Sequence, residues 1–553
     1  MKNSFFLFLI LFGIVSSQID YNINYELRLS IDEDGYESSS FRNFENYFDL
    51  NFYFDDLYLY SLLKYNNPPI IGSETKDIDD LIEVLFLDYS INDFDFSFGH
   101  IYQMYGSGLT MHTFNDRNID YNNALFGINM SYYINDSWTI YGILGANEFE
   151  SRTKLDIAEP DIFIGNKLGL AGITYSHDFF DLTYLSSINN QSIDSSTIYQ
   201  MKSIPGSLFS QDLDFRINSD TGLEPEDYEM NNYEHNLVFN AFLGDLEVSF
   251  EKSLVYYNKI MSERVTGSKF YFSAYLDFYD YAILYEFKDY DTPYLFSVFS
   301  NPPTLFKEAT SPLISRHTHA VDFSNERGHH LTVNKTFSDQ FNFMGNISFA
   351  YKNPHDSNIE EANFSKFLKN IIKFESVSEF ELLSPYRQLY LEFNGWNKSG
   401  KVFYKIGFDN YVEYFNLIGD LIDLPDKIIK AKTLPTQFSF KLNQGNSFSM
   451  YLEMQKLYQY ISGEGIFNSV YFSPSYNHFG KWVISLFCDL EKQVSEKDYN
   501  NYFGADFTYY LSETNTLSVF VGSQKGGLVC ANGTCVYQPD FLNGVKFTAR
   551  VLF

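Results

Sequence analysis

Gly544-Val-Lys-Phe-Thr-Ala-Arg-Val-Leu-Phe553 closes the chain. Side chains on a strand alternate between two faces. Val545, Phe547, Ala549, Val551 and Phe553 therefore share one face, and Lys546, Thr548 and Arg550 share the other. The wall of a membrane-embedded barrel needs that division, with lipid on one side and a polar lumen on the other. Soluble sandwiches also end on amphipathic strands, so the rest of the chain has to decide.

The opposite end reads as an export signal. Lys2 supplies a positive start, Phe5 to Phe12 an apolar run, and Val15-Ser-Ser17 small residues for cleavage. The expectation is a signal peptide over residues 1–17 and a barrel over 18–553. The apolar run is too short to cross a bilayer as a helix, and no later stretch offers about twenty uninterrupted apolar residues. Membrane passage would then require a closed barrel, which pairs every backbone group. The first strand follows almost at once, as Tyr21, Ile23, Tyr25, Leu27 and Leu29 alternate with Asn22, Asn24, Glu26 and Arg28. No amino-terminal plug domain is expected before it, which counts against a receptor of the plugged type.

Composition agrees. The 553 residues include 45 Tyr and 57 Phe but 3 Trp. Aromatic residues fit pleated surfaces and form interfacial girdles on barrels. The mean hydropathy of −0.23 suits strands with one polar face. A net charge of −32 argues against nucleic acid as a partner, which needs a basic surface. It is compatible with an acidic lumen or acidic loops.

The connections alternate in length. Ile31–Arg42, Asn66–Asp80 and Ile101–Asn123 read as long; Asp55-Asp56, Ile91-Asn92 and Asn135-Asp136 read as tight turns. From the other end, Gly522–Asn543 is long and Ser512–Asn515 short. Outer-membrane barrels have short periplasmic turns and long extracellular loops, and both ends fit that rhythm. Ser187–Glu234 and Asn301–Arg327 read as further polar excursions, and residues 360–374 as a short loop helix. At roughly 20–30 residues per strand, the fold class is an all-β, single-chain antiparallel transmembrane β-barrel of about 18–26 strands, even in number.

Chemistry-bearing patterns are sparse. Cys530 and Cys535 enclose four residues, which in an exported protein reads as a small disulfide loop, with a metal pair as the alternative. Cys488 reads as a packed side chain. His317 and His319 are placed on one strand face, with His329 and His330 nearby; polar loop ends are the ordinary home of such residues. There is no His-Glu-x-x-His, Gly-x-Ser-x-Gly or P-loop. No enzyme, metal or cofactor is expected.

One internal stretch carries a resemblance. Tyr105-Gly106-Ser107-Gly108-Leu109, then Asp116-Arg117, then Asn123-Ala124-Leu125-Phe126-Gly127, resembles a signature of an uncharacterised outer-membrane family of Bacteroidota and their relatives, a domain of unknown function. Pro303-Thr-Leu with Arg316-His-Thr318, and Lys525 to Cys530 with the final strand, are similar to the same family. The resemblance implies an outer-membrane barrel and no reaction. The final strand, with Val551 and Phe553, also resembles the signal that barrel assembly machinery recognises. Read from the residues alone, Gly106 and Gly108 allow positive φ or close backbone approach. They point to a loop tucked into the lumen, with Arg117 paired to lumen carboxylates. A plain surface loop is the alternative.

The functional expectation is an outer-membrane pore for small polar solutes. The alternative is an accessory barrel, closed by an in-folded loop, that acts with envelope or secretion partners. Lipid and assembly machinery are the partners implied.

Overall fold

The structure is a computed structural model. It describes residues 20–33, 40–70, 75, 79–151, 162–193, 228–258, 264–292, 298–307, 311–319, 321, 325–338, 340–351, 386–415, 427–460, 464–531 and 534–553. The expected signal peptide and the 360–374 helix lie outside these residues.

The described strands form one 24-stranded antiparallel sheet. It closes on itself. The first strand, Asp20–Glu33, pairs with the last, Phe541–Leu552, in a register running from Asn24 opposite Leu552 to Ile31 opposite Val545. Every other wall pairing joins strands adjacent in sequence. Closure removes the sheet edges that would otherwise leave backbone groups unpaired.

Alternation decides what the wall shows. Along Asp20–Glu33, Glu26 and Ser30 are buried, whereas Tyr21 and Ile31 are exposed. On the last strand Arg550 reaches Glu26 across the lumen face at 3.1 Å, and Val545 and Phe553 are exposed outside. Ile140 and Leu144, and Ile484 and Leu486, repeat the pattern on strands Trp138–Ser151 and Trp482–Gln493. A continuous exposed apolar surface of this kind would be unfavourable in water, and hydrocarbon solvates it.

The eleven connections at the end where the first strand starts and the last finishes are all turns of two to five residues. All three tryptophans stand at that end: Trp138 and Trp482 open strands and Trp396 ends one. Exposed Tyr133, Phe179, Tyr279, Phe337 and Phe479 join them. Amphipathic rings at one rim are an interfacial girdle.

Several expected boundaries shift. The first loop shrinks to 34–39, because the strands run to Glu33 and from Ser40. The excursion expected at Ser187–Glu234 is shorter, since strand Phe180–Ile193 continues past Ser187 and Tyr228–Leu243 begins before Glu234. There the lumen face is made of Ser187, Asn189 and Gln191, which are buried. A polar inner face next to a long loop carries no sequence contrast that would mark the end of the strand. His317 and His319 are not on a strand face; they lie in the loop between Tyr281–Asp291 and Asn325–Ser338. His330 faces the lumen, 2.5 Å from Glu286, while adjacent His329 meets Tyr285 at 2.8 Å and stacks on Phe349. The four histidines do not converge.

Candidate functional site

Among the described residues, two long connections turn inward and occupy part of the lumen toward the long-loop end. The first, residues 102–124, follows strand Phe94–Ile101. Its Met111, with Tyr105 and Tyr121, packs with Leu125, Tyr141, Ile143, Leu168 and Leu185 of the wall. Burial of such side chains stabilises by about 1.5–3 kcal/mol each, so this segment is seated rather than draped.

Gly106 explains why the turn must be glycine. Its φ is +58°, and a Cβ there would lie 2.6 Å from the Glu251 carboxylate. The bare backbone lets Ser107 approach, so that its N–H and its hydroxyl each donate to Glu251 at 2.5 Å. Asn236 donates to the second carboxylate oxygen at 2.6 Å. Beyond the turn, Thr110 donates to Glu234 at 3.0 Å. Lys269 sits 2.9 Å from Glu234 and donates to the Leu109 carbonyl. Tyr105 stacks on Tyr141, centroids 4.6 Å apart.

The other end of the segment reaches the opposite side of the wall. Arg117 pairs with Asp49 of strand Ser40–Phe54 and lies over the Tyr47 ring. Lys64 meets Asp120 at 2.6 Å. Asp116 is spent locally, accepting the Asn118 N–H at 2.8 Å. Adjacent Asp116 and Arg117 therefore have separate partners. Buried Asn123 accepts the Phe114 N–H at 2.7 Å and donates to the Val298 carbonyl at 2.9 Å.

That last bond joins the second inward segment, described at residues 298–307 and 311–319. His112 N–H donates to the Phe299 carbonyl at 2.7 Å and Asn301 N–H to the Gly108 carbonyl at 3.1 Å. The second segment then runs to the far wall. Lys288 donates to the Thr304 carbonyl at 2.8 Å and Tyr290 to the Pro303 carbonyl at 3.1 Å. Glu453 receives the Ser311 hydroxyl and the N–H groups of Leu313 and Ile314 at 2.8, 2.9 and 3.1 Å. A carboxylate at the open N–H groups of a single helical turn is favoured by charge and geometry together. Arg316 pairs with Asp489.

His319 closes the run. Its Nδ1 lies 2.6 Å from Glu413 and its Nε2 3.1 Å from Glu326, and the ring stacks on Tyr386 at 4.0 Å. With a carboxylate at each nitrogen, the doubly protonated ring donates both ways. Burial opposes its charge, but Glu326 and Glu413 outweigh burial and hold its pKa up to about 9. His317, buried beside Gln455 at 3.3 Å, has the opposite setting. Desolvation, with Arg316 and Lys525 close by, lowers it to about 4 despite the Gln455 bond.

Wall carboxylates thus hold both segments. Asp49, Glu251 and Glu234 hold the first; Glu453, Asp489, Glu413 and Glu326 hold the second. None of them was singled out from sequence. Alternation puts them on the inner face, as Glu453 lies between outward Leu452 and Met454, but it names no partner. The last loop carries its own hairpin, Gly527–Ala531 with Thr534–Gln538, in which Cys530 stands opposite Cys535 in the backbone register. Lys525 at its base meets Glu491 at 2.6 Å. Phe553 exchanges backbone hydrogen bonds with Ile23, and Val551 stands opposite Tyr25.

The profile of a family described as "Family of unknown function (DUF6029)" matches residues 1–553. No curated protein matches the chain. Similar solved structures include the copper transporter OprC (8% identity, 97% of this chain, 81% of that chain, TM-score 0.43). Others are the unliganded ferric citrate transporter FecA (11%, 97%, 79%, 0.43) and the siderophore receptor PirA from Pseudomonas aeruginosa (9%, 97%, 81%, 0.44).

Proposed function

The chain belongs to the DUF6029 family of unknown function, and on that premise we propose that it is an outer-membrane barrel for gated passage of small polar solutes. In this reading residues 1–17 direct export, Val551 and Phe553 present the closing strand to assembly machinery, and lipid surrounds the apolar wall. The two inward segments are the gate. The observation that carries the reading is how the second segment is held. Residues 311–319 are tied to wall carboxylates by hydrogen bonds and ion pairs, which water can replace, while Val298, Phe299 and Leu305 earlier in the segment are seated in apolar clusters.

A route beside this segment supports passage. A cavity of about 550 Å³ is lined by Asp506, Ser518 and Thr548, within four residues of the short-turn end of their strands. It is also lined by Arg316 at the level of the segment and by Gly526 and Gln538 in the last long loop. It therefore runs past the segment on one side. The reading assigns the barrel no reaction and no cofactor.

A second reading, an accessory barrel working with envelope or secretion partners, is supported by the apolar seating of the first segment. Single-channel recording in planar bilayers separates the two. The gated reading expects small steps from the natural protein. It expects steps several-fold larger from the double variant Glu453→Gln, Arg316→Ala. A wide-open natural barrel, or a double variant indistinguishable from it, would overturn gating by this segment. Silence from both proteins at all voltages would favour the accessory role.

A further inference from the structure

The cavity beside the second segment does not end there. A second one, of about 620 Å³, lies on the other side of Pro312. Pro312 and Tyr471 line both, so the two are halves of one track along the inner wall.

The floor of that track is aromatic. Tyr451 and Tyr471 have centroids 6.1 Å apart. Tyr471 and Phe487 are near-parallel at 6.3 Å and 11°, and Phe487 and Phe520 at 5.4 Å and 9°. Phe541 follows at 5.8 Å from Phe520. These rings come from separate strands, Asn446–Tyr460 through Phe541–Leu552. The intervening strand Asn500–Tyr510 contributes Gly504 at this level, opposite Phe487. A Cβ on Gly504 would lie 2.5 Å from both Phe487 and Phe520. Glycine there lets the two rings meet over the backbone and keeps the strip unbroken.

The flanks are polar and most of their charges are paired; Lys307 instead lies over the Tyr390 ring at 5.8 Å and Asp506 accepts from Thr508 at 3.1 Å. Arg316 is paired with Asp489, Lys525 with Glu491 at 2.6 Å and Lys405 with Glu392 at 3.0 Å. Lys546 lies over the Phe541 ring at 4.2 Å and donates to Gln524 at 3.2 Å. In a chain of net charge −32, a track whose charges are mostly paired, with both signs among the remainder, is not built around an ion of one sign. What it offers is a row of π faces bordered by hydrogen-bonding edges such as Asp506, Ser518 and Gln524. Apolar surface with a few placed polar groups is the usual make-up of a small-molecule site. The chemistry that matches both is a chain of sugar rings, each with a flat C–H face and a hydroxyl edge. From Tyr451 to Phe520 the strip crosses four strand spacings, about 19 Å at ~4.8 Å each, which is room for several rings.

We propose that this aromatic track, from Tyr451 through Tyr471 and Phe487 to Phe520, binds a neutral oligosaccharide. The site names a substrate class for the passage described above, yet binding needs only the wall and does not rest on the gate opening.

Isothermal titration of the full-length protein in detergent tests it. The probes are maltohexaose and cellohexaose, with glucose and spermine as comparators. At least one hexaose binds, glucose binds at least tenfold more weakly, and Phe487→Ala loses at least tenfold. Phe520→Leu is a milder change that keeps the wall filled, and it weakens binding several-fold. The proposal is overturned by failure of both hexaoses to bind, by hexaose affinity unchanged in both variants, or by binding of spermine alone. Sugar binding by a barrel whose conductance ignores the gate variants would sink the gate and leave this site standing. A working gate with no sugar binding would do the reverse.

Discussion

His319 supplies the sharpest test of how the second segment is held. Seated, the ring is buried with Glu413 and Glu326 at its two nitrogens, Lys288 on the far side of Glu326, and Tyr411 donating to Glu413. Phe306 and Tyr386 pack on its faces and edge. Unseated, the ring returns to its ordinary value near 6.5, and seated it holds its proton up to about 9. Each tenfold in proton affinity is about 1.4 kcal/mol, so the proton stabilises the seated segment by about 3 kcal/mol. The sign follows from linkage. A raised seated pKa gives its full contribution below pH 6.5, loses it progressively above that, and has lost it once the pH passes about 9. The segment is therefore held most firmly at mildly acidic pH and loosens between pH 7 and 9. Nuclear magnetic resonance of the protein with isotope-labelled histidine reads the ring directly, and His319→Gln assigns it. One ring, absent in the variant, should titrate near 9. In the natural protein channel current should rise across pH 7–9, and in His319→Gln that rise should be absent. A ring titrating at its ordinary value would refute the reasoning, because the two carboxylates would then not be acting on it.

Three further outcomes are expected. Gly106→Val drives a side chain into the Glu251 carboxylate from a left-handed backbone; left-handed geometry alone costs ~1–2 kcal/mol, so protease cutting within residues 102–124 should increase, and unchanged resistance would show the segment is not seated by this turn. Leu144 is 70% exposed on the outer wall, seven residues into strand Trp138–Ser151 from the girdle at Trp138. Leu144→Arg should cost ~2–4 kcal/mol as for a midplane barrel position, measured by denaturant unfolding from lipid vesicles; a neutral result would remove that face from the bilayer. Because Cys530 and Cys535 stand opposite in the hairpin register, we expect a disulfide. Thiol titration of the unfolded protein should then find one reactive cysteine, Cys488, before reduction and three after; three before reduction would exclude the bond.

The fold was legible because a barrel wall is written locally. The lumen and lipid faces demand opposite polarity at every second residue, so Tyr21 to Leu29 and Val545 to Phe553 could be oriented without knowing any neighbour. The rhythm of turns and loops follows from the same local chemistry. Boundaries were less legible where a polar lumen face runs into a long loop, as at Ser187–Gln191, or where a long-side connection is short. Residues 461–463 join two strands in three residues on the long-loop side, and length alone does not separate that loop from a turn.

By itself the sequence determined an antiparallel barrel, its inside and outside, and that Gly106 and Gly108 bend the chain near a strand end. Only the tertiary structure decided what that bend serves. Which carboxylate meets Ser107, Arg117, Arg316 or His319 depends on residues 68 to 173 positions away. Closure of the wall brings those positions together, and alternation carries no record of which strands will face each other across the lumen. The aromatic track is hidden for the same reason. Tyr451, Tyr471, Phe487 and Phe520 are ordinary inward residues on their own strands, and they become a strip only when the registers align them and Gly504 leaves the space between.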